Sequence, residues 1–244
     1  MNKVGTLYIV ATPIGNLEDL SFRAARLLKE SDFILCEDTR VARKLLDNYN
    51  IKTPTISYHQ HSGVAKSLKA VELLRSGKNL ALVSDAGTPG ISDPGGQLVA
   101  DVRAAFADEA VIESVPGPSA LVAAASIAGA GFDRFLFLGF LPHKKGRQTM
   151  LKVIATVDYP VIVYESKHRI EKLLSELAVI AKEDGIEFEV SVARELTKMH
   201  ESFYVGSPIA LLDRLRESPL NLKGEFVVLI KKNNFKKGKN KKEA

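Results

Sequence analysis

Cysteine and tryptophan are nearly missing from the sequence: one cysteine, Cys36, and no tryptophan stand among 244 residues. A single thiol excludes an internal disulfide and is typical of a reducing compartment. No apolar run approaches the roughly 20 residues that a membrane-spanning helix needs. Residues 1–5 lead into a strand pattern rather than a signal peptide. We therefore expect a soluble, cytoplasmic protein without a membrane partner.

The common nucleotide-binding and metal-binding motifs are also missing. The first predicted strand is followed by residues 12–16, TPIGN, and not by G-x-G-x-x-G, and no Gly-Lys-Ser or Gly-Lys-Thr closes a P-loop. His59 and His61 share one face of an extended segment, but no further Cys/His cluster supplies a third and a fourth ligand. The sequence predicts no metal site, and an RNA contact or a plain surface is the better interpretation of this histidine pair.

Positive charge is concentrated at the C-terminal end. Seven lysines and one glutamate among residues 231–244 contribute +6, which leaves −1 for the rest of the total of +5. Residues 232–244 have little to bury, and we predict a disordered basic tail. This tail is either an arm that binds a polyanion such as RNA or a solubilising end.

Predicted strands and helices alternate along the chain, which indicates an α/β fold with a mostly parallel sheet covered by helices. In the second half we predict strands at residues 135–139, 161–164, 188–193 and 226–231, each separated from the next by a helix. Residues 116–118, Pro-Gly-Pro, break the pattern. We therefore predict an N-terminal α/β domain at 1–116, a C-terminal α/β domain at 117–231 and the tail at 232–244.

The most informative segment is a glycine-rich loop. A buried strand at residues 80–83 leads into a loop with four glycines, two prolines and two aspartates, at residues 84–96. Such a loop is either an ordinary turn or a backbone surface that approaches a ligand closely. The loop contains no lysine or arginine for a triphosphate, and Asp85 and Asp93 favour a neutral or positive group. The sulfonium and hydroxyls of S-adenosylmethionine fit this requirement.

Other segments carry candidate chemistry with an ordinary alternative. Glu37 and Asp38 end a strand, where they could accept a proton, or cap a helix and pair with a cation. Residues 119–127 are predicted as a helix rich in small side chains at 123–126, which suits a close ligand or close helix–sheet packing. Basic residues in loops could hold RNA phosphates or be merely solvated: Arg40, His59, Lys144, Lys145 and Arg147.

Together these segments resemble the small-subunit ribosomal RNA methyltransferase I family, in the tetrapyrrole-methylase-like class of S-adenosylmethionine-dependent methyltransferases. The resemblance runs over residues 5–230, in one order, and leaves the tail outside. The motifs that carry it are TPIGNLED (12–19), CEDTR (36–40), SDAGTPGISDPG (84–95), PGPSA (116–120), FLP (140–142), YES (164–166), ARELTK (193–198) and KGEF (223–226).

The resemblance implies two α/β lobes, the first with a mostly parallel sheet and the second with a mixed sheet, and S-adenosylmethionine in the cleft between them. It also implies a homodimer that methylates a cytidine ribose 2′-oxygen in the decoding region of 16S ribosomal RNA or the 30S particle. Thr88 stands where many relatives in the class have aspartate. The implied cofactor contacts are Pro13, Ser84, Asp85, Gly87, Thr88, Ile91, Ser92, Ser119 and Ala120, with Tyr164, Leu196 and Gly224 from the second lobe.

Two other functions stay open at this point. Methylation of a tetrapyrrole is the chemistry of the wider class, although the few aromatic residues and the missing tryptophan disfavour a porphyrin-type substrate. A noncatalytic RNA-binding factor for ribosome assembly could also keep such a pocket. For the methyltransferase, we expect Glu37 or Asp38 to accept the proton of the ribose hydroxyl.

Overall fold

The computed structural model describes residues 3–59, 63–109, 111–129 and 131–233. The chain divides into two compact units, Met1–Ala120 and Leu121–Ala244. The described residues contain ten strands and eight α-helices, and no helix among them is long and apolar enough to cross a membrane.

The first unit contains one five-stranded sheet with the strand order β3-β2-β4-β1-β5, and every pair in it is parallel. Two short 3₁₀ turns complete it, at Leu17–Asp19 and Ala107–Glu109. The elements are β1 (Thr6–Val10), α1 (Phe22–Glu30), β2 (Phe33–Cys36), α2 (Thr39–Asn48), β3 (Thr55–Ser57), α3 (Gly63–Arg75), β4 (Leu80–Leu82), α4 (Gly95–Phe106) and β5 (Val111–Val115).

Helices cover both faces of this parallel sheet, which explains its short apolar strands. One core cluster contains Leu27 and Leu28 of α1 with Leu45 and Leu46 of α2. A second cluster contains residues of α3 and α4, including Leu74 and Leu98. Because all five strands run in one direction, their carboxyl ends lie along one edge of the sheet. The loops that follow β1, β2, β4 and β5 therefore start from the same edge.

Local signals in the sequence fix several helix ends. The hydroxyl of Ser21 accepts the Ala24 N–H and caps α1. The carboxylate of Asp38 accepts the Arg40 N–H at the start of α2. Gly77 follows α3 with φ +82°, a left-handed conformation that glycine adopts without a steric cost. Pro208 stands in the first turn of a helix of the second unit, where its missing N–H costs no hydrogen bond.

The second unit contains a mixed five-stranded sheet with the order β6-β7-β10-β8-β9. Only β6 and β7 pair in parallel, and the other three pairs are antiparallel. The elements are α5 (Ala120–Ile127), β6 (Leu136–Phe140), α6 (Arg147–Thr156), β7 (Val161–Ser166), α7 (Ile170–Glu183), β8 (Phe188–Arg194), β9 (Ser202–Gly206), α8 (Pro208–Arg216) and β10 (Glu225–Lys232).

The α/β class, with a parallel first sheet and a mixed second sheet, is confirmed. Strand β9 is a difference, because the sequence predicts only a helix between the strands at 188–193 and 226–231 and no strand at Ser202–Gly206. β8 and β9 instead form an antiparallel pair joined by a loop, so no crossover helix is needed. The last strand also extends to Lys232, the first residue of the predicted tail. The remainder of the predicted tail, 234–244, lies outside the described residues.

Candidate active site

The loops after β1 and β4 are joined by a short antiparallel bridge between Thr12 and Gly87. The Thr12 N–H donates to the Gly87 carbonyl at 2.9 Å, and the Gly87 N–H donates back at 3.1 Å. The buried Thr12 hydroxyl also donates to the Ser84 carbonyl at 3.2 Å. Thr12 begins the first sequence motif but is not among the implied cofactor contacts, and this bridge holds the glycine-rich loop against the end of β1.

The Asp93 carboxylate shapes its own loop. Its two oxygens accept the Gly90 N–H at 2.8 and 2.9 Å, and one of them accepts the Gly95 N–H at 2.7 Å. Gly90 and Ser92 have φ values of +87° and +64°, so the loop bends back on itself at both positions. Asp93 therefore fixes the backbone that we expect to meet a ligand, and Asp85 is the other carboxylate of the loop.

Three acidic residues meet where β2 and β4 end. The Asp38 N–H donates to the Asp85 carboxylate at 3.2 Å, and the Asp85 backbone lies close enough to the Glu37 carboxylate to oppose the rise of its pKa. We call this pair of contacts the acidic clasp. It joins two loops that leave adjacent parallel strands. The clasp places Glu37 and Asp85 near each other, because each follows one of two neighbouring parallel strands.

The carboxyl groups of Glu37 and Asp85 share an unusual electrostatic environment. Partial burial raises the pKa of Glu37, and the negative charges of Asp85 and Asp93 raise it further. Partial burial also raises the pKa of Asp85, against the hydrogen bond that it accepts from the Asp38 backbone. Carboxyl groups with raised pKa values are better proton acceptors once ionised, and such groups cluster at functional sites.

Asp38 has a structural role instead. Its side chain caps α2 and forms an ion pair with the exposed Arg40, whose Nη2 lies 2.6 Å from the carboxylate. The hydrogen bonds from Arg40 lower the pKa of Asp38 to about 2. The sequence leaves the proton acceptor open between Glu37 and Asp38, with capping and ion pairing as the alternative. The contacts of Asp38 are those of the alternative, and Glu37 is the better candidate.

The loop after β5 packs closely on the same edge of the sheet. The Thr88 hydroxyl donates to the Pro118 carbonyl at 3.2 Å. A Cβ atom at Gly117 would lie 3.1 Å from the Ala11 Cβ, so only glycine lets the two backbones approach this closely. The first-lobe residues that the resemblance implies as cofactor contacts lie in the loops after β1, β4 and β5 and at the start of α5: Pro13, Ser84, Asp85, Gly87, Thr88, Ile91, Ser92, Ser119 and Ala120. Their contact with a cofactor stays a prediction.

Tyr164 of the second unit supports the start of α5. Its hydroxyl accepts the Leu121 N–H at 3.2 Å. Its ring packs edge-on against Phe137, with 5.0 Å between the ring centroids, and against Phe140 at 5.6 Å. The tyrosine thus caps the first turn of the helix that follows the Pro-Gly-Pro segment. Its direct contact with a cofactor stays a prediction of the resemblance.

Leu196 and Gly224 lie beside a second cluster of charged groups. Lys198 Nζ bridges the carboxylates of Glu195, at 2.9 Å, and Glu225, at 2.8 Å. The Glu195 carboxylate also accepts the Glu225 N–H at 2.9 Å. Leu196 is buried beside this bridge. The cluster fixes the backbone at Leu196 and Gly224, and their contact with a cofactor stays a prediction as well.

Gly224 cannot gain a side chain without moving Glu195. A Cβ atom there would lie 2.4 Å from Glu195 Cγ, and φ is +106°. We expect Gly224→Ala to lower the free energy of unfolding by about 2–3 kcal/mol, because backbone strain and a steric clash act together. Gly185→Ala is the matched control, since Gly185 also has a positive φ, +65°, but faces open space. Urea denaturation should show a loss of about 1 kcal/mol for the control, and equal losses would show that Glu195 moves aside freely.

The candidate RNA contacts differ in accessibility. Arg40, His59, Lys144 and Lys145 are exposed, and His59 lines an open groove of about 860 Å³ between α3 and α4. Arg147 is only 2% exposed, which corrects our expectation that it binds a phosphate. Its guanidinium donates to both oxygens of Glu176, at distances of 2.7 to 3.1 Å. A basic loop sequence does not reveal that its last residue turns inward at the first position of α6.

Among the described residues, no group of three or more His, Cys, Asp or Glu side chains could hold a metal ion. His61, the second member of the histidine pair, lies outside those residues.

Comparison with known proteins identifies the family of this chain. A family model for Tetrapyrrole (Corrin/Porphyrin) Methylases matches residues 6–209. The protein named ribosomal RNA small subunit methyltransferase I from Synechocystis is 44% identical over 93% of this chain and 79% of its own length. The protein of that name from Thermotoga maritima is 40% identical over 93% of this chain and 98% of its own length.

The chain belongs to the ribosomal RNA small subunit methyltransferase I family. The resemblance carried by the eight sequence motifs is thereby confirmed. Members of this family are named as methyltransferases, and we conclude that this chain is one of them.

Solved structures show the same fold in relatives with little sequence similarity. Cobalt precorrin-4 methyltransferase aligns with a TM-score of 0.67 at 17% identity, over 93% of this chain and 94% of that one. Uroporphyrin-III C-methyl transferase from Thermus thermophilus, complexed with S-adenosyl homocysteine, aligns with a TM-score of 0.63 at 19% identity, over 92% and 97% of the two chains. The methyltransferase I family therefore shares its fold with tetrapyrrole methylases.

Proposed function

We propose that this protein transfers the methyl group of S-adenosylmethionine to the 2′-oxygen of a cytidine ribose in the decoding region of 16S ribosomal RNA. The observation that carries the proposal is 40–45% identity, over 92–95% of the chain, to relatives named for methylation of small-subunit ribosomal RNA. The substrate is the RNA, free or in the 30S particle, and a protein that modifies ribosomes works in the cytoplasm. The resemblance also supports a homodimer.

The residues of the first unit suit S-adenosylmethionine. Residues 84–96 contain Asp85 and Asp93 and no lysine or arginine, so the local charge favours a cationic ligand. Gly87 has φ +81°, and a Cβ atom there would touch Ile14 at 3.4 Å and Pro118 at 3.7 Å. Glycine at positions 87 and 117 therefore lets the loops after β1, β4 and β5 pack closely against one another. When bound, the cofactor supplies a methyl group on a positively charged sulfur, which needs no metal for activation.

The chain's own residues would position the reactants and take up one proton. The bond from the 2′-oxygen to the methyl carbon forms as the carbon–sulfur bond breaks, and the hydroxyl proton moves to a Glu37 oxygen. A ribose hydroxyl is a weak acid, so the carboxylate acts late in the transfer as a general base. Asp85 accepts hydrogen bonds from the cofactor, and the acidic clasp keeps Asp85 and Glu37 at a fixed separation.

A transfer assay tests this function directly. With methyl-labelled S-adenosylmethionine and small ribosomal subunits that lack the modification, we expect the label in 16S RNA as 2′-O-methylcytidine. Because a 2′-O-methyl group blocks alkaline cleavage, the labelled product should survive alkali as a dinucleotide. The variant Glu37→Gln is the matched control, because its neutral amide cannot take up the hydroxyl proton, and it should transfer far less label. Cofactor binding without any transfer to RNA would contradict the proposal and support a noncatalytic assembly factor.

A tetrapyrrole substrate is the second candidate, because the family model and the solved relatives are named for tetrapyrrole methylation. Tetrapyrrole precursors carry several carboxylates and need cations around them. The glycine-rich loop provides none, and Asp85 and Glu37 would repel such a substrate. Label in a tetrapyrrole precursor, offered alongside the ribosomal subunits, would favour this second function.

A further inference from the structure

Two basic loops of the second unit leave the same edge of its sheet. β6 and β7 are parallel neighbours, and Phe140, the last residue of β6, pairs with Tyr164. The loop at 141–146 follows β6, and the loop at 167–169 follows β7. Because parallel strands end at the same edge, the two loops begin side by side.

Two arginines fasten these loops to each other and to the helices behind them. Arg169 Nη1 donates to the Leu141 carbonyl at 2.7 Å, and its Nε lies 2.9 Å from the buried Glu165 carboxylate. Arg147 Nη1 donates to the Pro142 carbonyl at 3.3 Å, while Glu176 balances its charge. The first loop is thus held by charged groups from both sides, and its position relative to the second loop is fixed.

The outer surface of both loops is uniformly positive. Lys144, Lys145 and His143 are exposed in the first loop, and Lys167 and His168 are exposed in the second. Neither residues 141–149 nor residues 166–170 include an aspartate or a glutamate. The three lysines have no ion-pair partner in the part of the chain that the structure describes. Exposed lysines without an ion-pair partner, on loops held in place, are available to bind a polyanion.

An aromatic ring stands at the same edge. Phe140 is 50% exposed although it ends a sheet strand. The Arg169 guanidinium lies 5.9 Å from its ring centroid, and Tyr164 packs at 5.6 Å, so the ring is held in place from behind. A fixed, half-exposed ring next to several cations is the combination with which proteins bind single-stranded nucleic acid, by stacking a base and neutralising phosphates.

We propose that the two loops and Phe140 form an RNA-docking surface for single-stranded or looped RNA, in which Lys144, Lys145 and Lys167 contact phosphates and Phe140 stacks on a base. We call these four residues and the loops that carry them the two-loop surface. The proposal rests on the proposed function in one respect, that the substrate is ribosomal RNA. It adds the element that grips the RNA and assigns Lys167 and Phe140 to it.

Lys167→Gln tests the electrostatic part of the surface. The matched control is Lys182→Gln, because Lys182 is also exposed but lies near the other end of α7, roughly 20 Å along the 14-residue helix. We measure the affinity for a 16S RNA fragment across salt concentrations. Loss of one phosphate contact should reduce the slope of log K against log salt by about 0.7 and weaken binding about fivefold at 0.1 M salt. The control should keep the wild-type slope.

Phe140 is tested by a pair of substitutions. Phe140→Leu keeps an apolar side chain behind Tyr164 but removes the aromatic face, and we expect RNA binding to weaken about tenfold with an unchanged salt slope. Phe140→Tyr should restore binding, because it restores the ring. A general structural defect would weaken S-adenosylmethionine binding in both variants, so calorimetry with the cofactor accompanies each RNA titration.

The outcomes separate this proposal from the proposed function. If the wild-type enzyme methylates the RNA while RNA binding by Lys167→Gln keeps the wild-type dependence on salt concentration, the two-loop surface is refuted and the proposed function stands. If wild-type enzyme binds the RNA through these residues but transfers no methyl group, the function fails and the surface stands. If the variants lose binding to assembled subunits and bind protein-free RNA normally, the loops contact a ribosomal protein, which overturns RNA as their partner.

Discussion

Asp85→Ala should weaken the binding of S-adenosylmethionine on the order of 100-fold, measured by calorimetry. Asp85 is the carboxylate of the glycine-rich loop whose oxygens are not held within that loop, whereas Asp93 accepts two N–H groups of its own backbone. The Asp85 side chain is exposed, so its negative charge is accessible to a cationic or hydrogen-bonding ligand. Removing a charged hydrogen-bond acceptor from such a site costs about 2–5 kcal/mol of binding free energy.

Two further variants separate the charge of Asp85 from its structural role. Asp85→Asn keeps an oxygen that can accept the Asp38 N–H and loses the charge, so its affinity should fall between those of the wild type and Asp85→Ala. Asp47→Asn removes a carboxylate from the exposed surface of α2 and should bind the cofactor as the wild type does. Wild-type affinity in Asp85→Ala would remove Asp85 from the cofactor site.

Glu37→Gln should lower kcat by about 10²- to 10⁴-fold, which is the usual contribution of a general base. The amide keeps the shape of the side chain, but it cannot take the proton of the ribose hydroxyl. The affinity for S-adenosylmethionine should change much less than kcat. Single-turnover kinetics with saturating RNA isolates this step from binding.

The pH dependence of the wild-type enzyme provides an independent test of Glu37. Only the ionised carboxylate accepts a proton, so the rate should rise with pH as Glu37 loses its own proton. Burial and the charges of Asp85 and Asp93 raise the pKa of Glu37 above its ordinary value of 4.5, and the acidic limb of the profile should shift upward accordingly. Asp38→Asn should keep this limb, because Asp38 caps α2 and asparagine caps equally well. A large loss of kcat in Asp38→Asn, with little loss in Glu37→Gln, would make Asp38 the base.

Most of the fold follows from local patterns. The inner strands β2 and β4 of the first unit are apolar over their whole length because helices cover both faces of the sheet, and such runs stand out between polar helices and glycine-rich turns. β9 escapes prediction because its Ser-Phe-Tyr-Val-Gly sequence lies at a sheet edge, with its residues only partly buried, and an antiparallel partner needs no helix before it. Because we expect strands and helices to alternate strictly, we do not predict β9, although its valine and aromatic residues favour a strand.

The active site is predictable in its location and less so in its contacts. Residues at the carboxyl ends of parallel strands meet at one edge, so the sequence alone selects both Glu37 and Asp85. The Thr12–Gly87 bridge joins residues 75 positions apart, and no local pattern reveals such a pair. The sequence-based assignment of Arg147 is wrong because a basic loop sequence does not show which side chain finds a buried glutamate partner. Long-range pairing of this kind depends on the packed structure.

The chain's single cysteine lies buried at the end of β2, next to the acidic clasp. Burial, with the negative charges of Asp85 and Asp38, raises the pKa of the Cys36 thiol to about 11. Near neutral pH this sulfur is protonated and shielded, so maleimide reagents leave it untouched. A cysteine introduced at an exposed position, for example in place of Lys182, would then carry a fluorophore or spin label at one defined place without any change to the native residue.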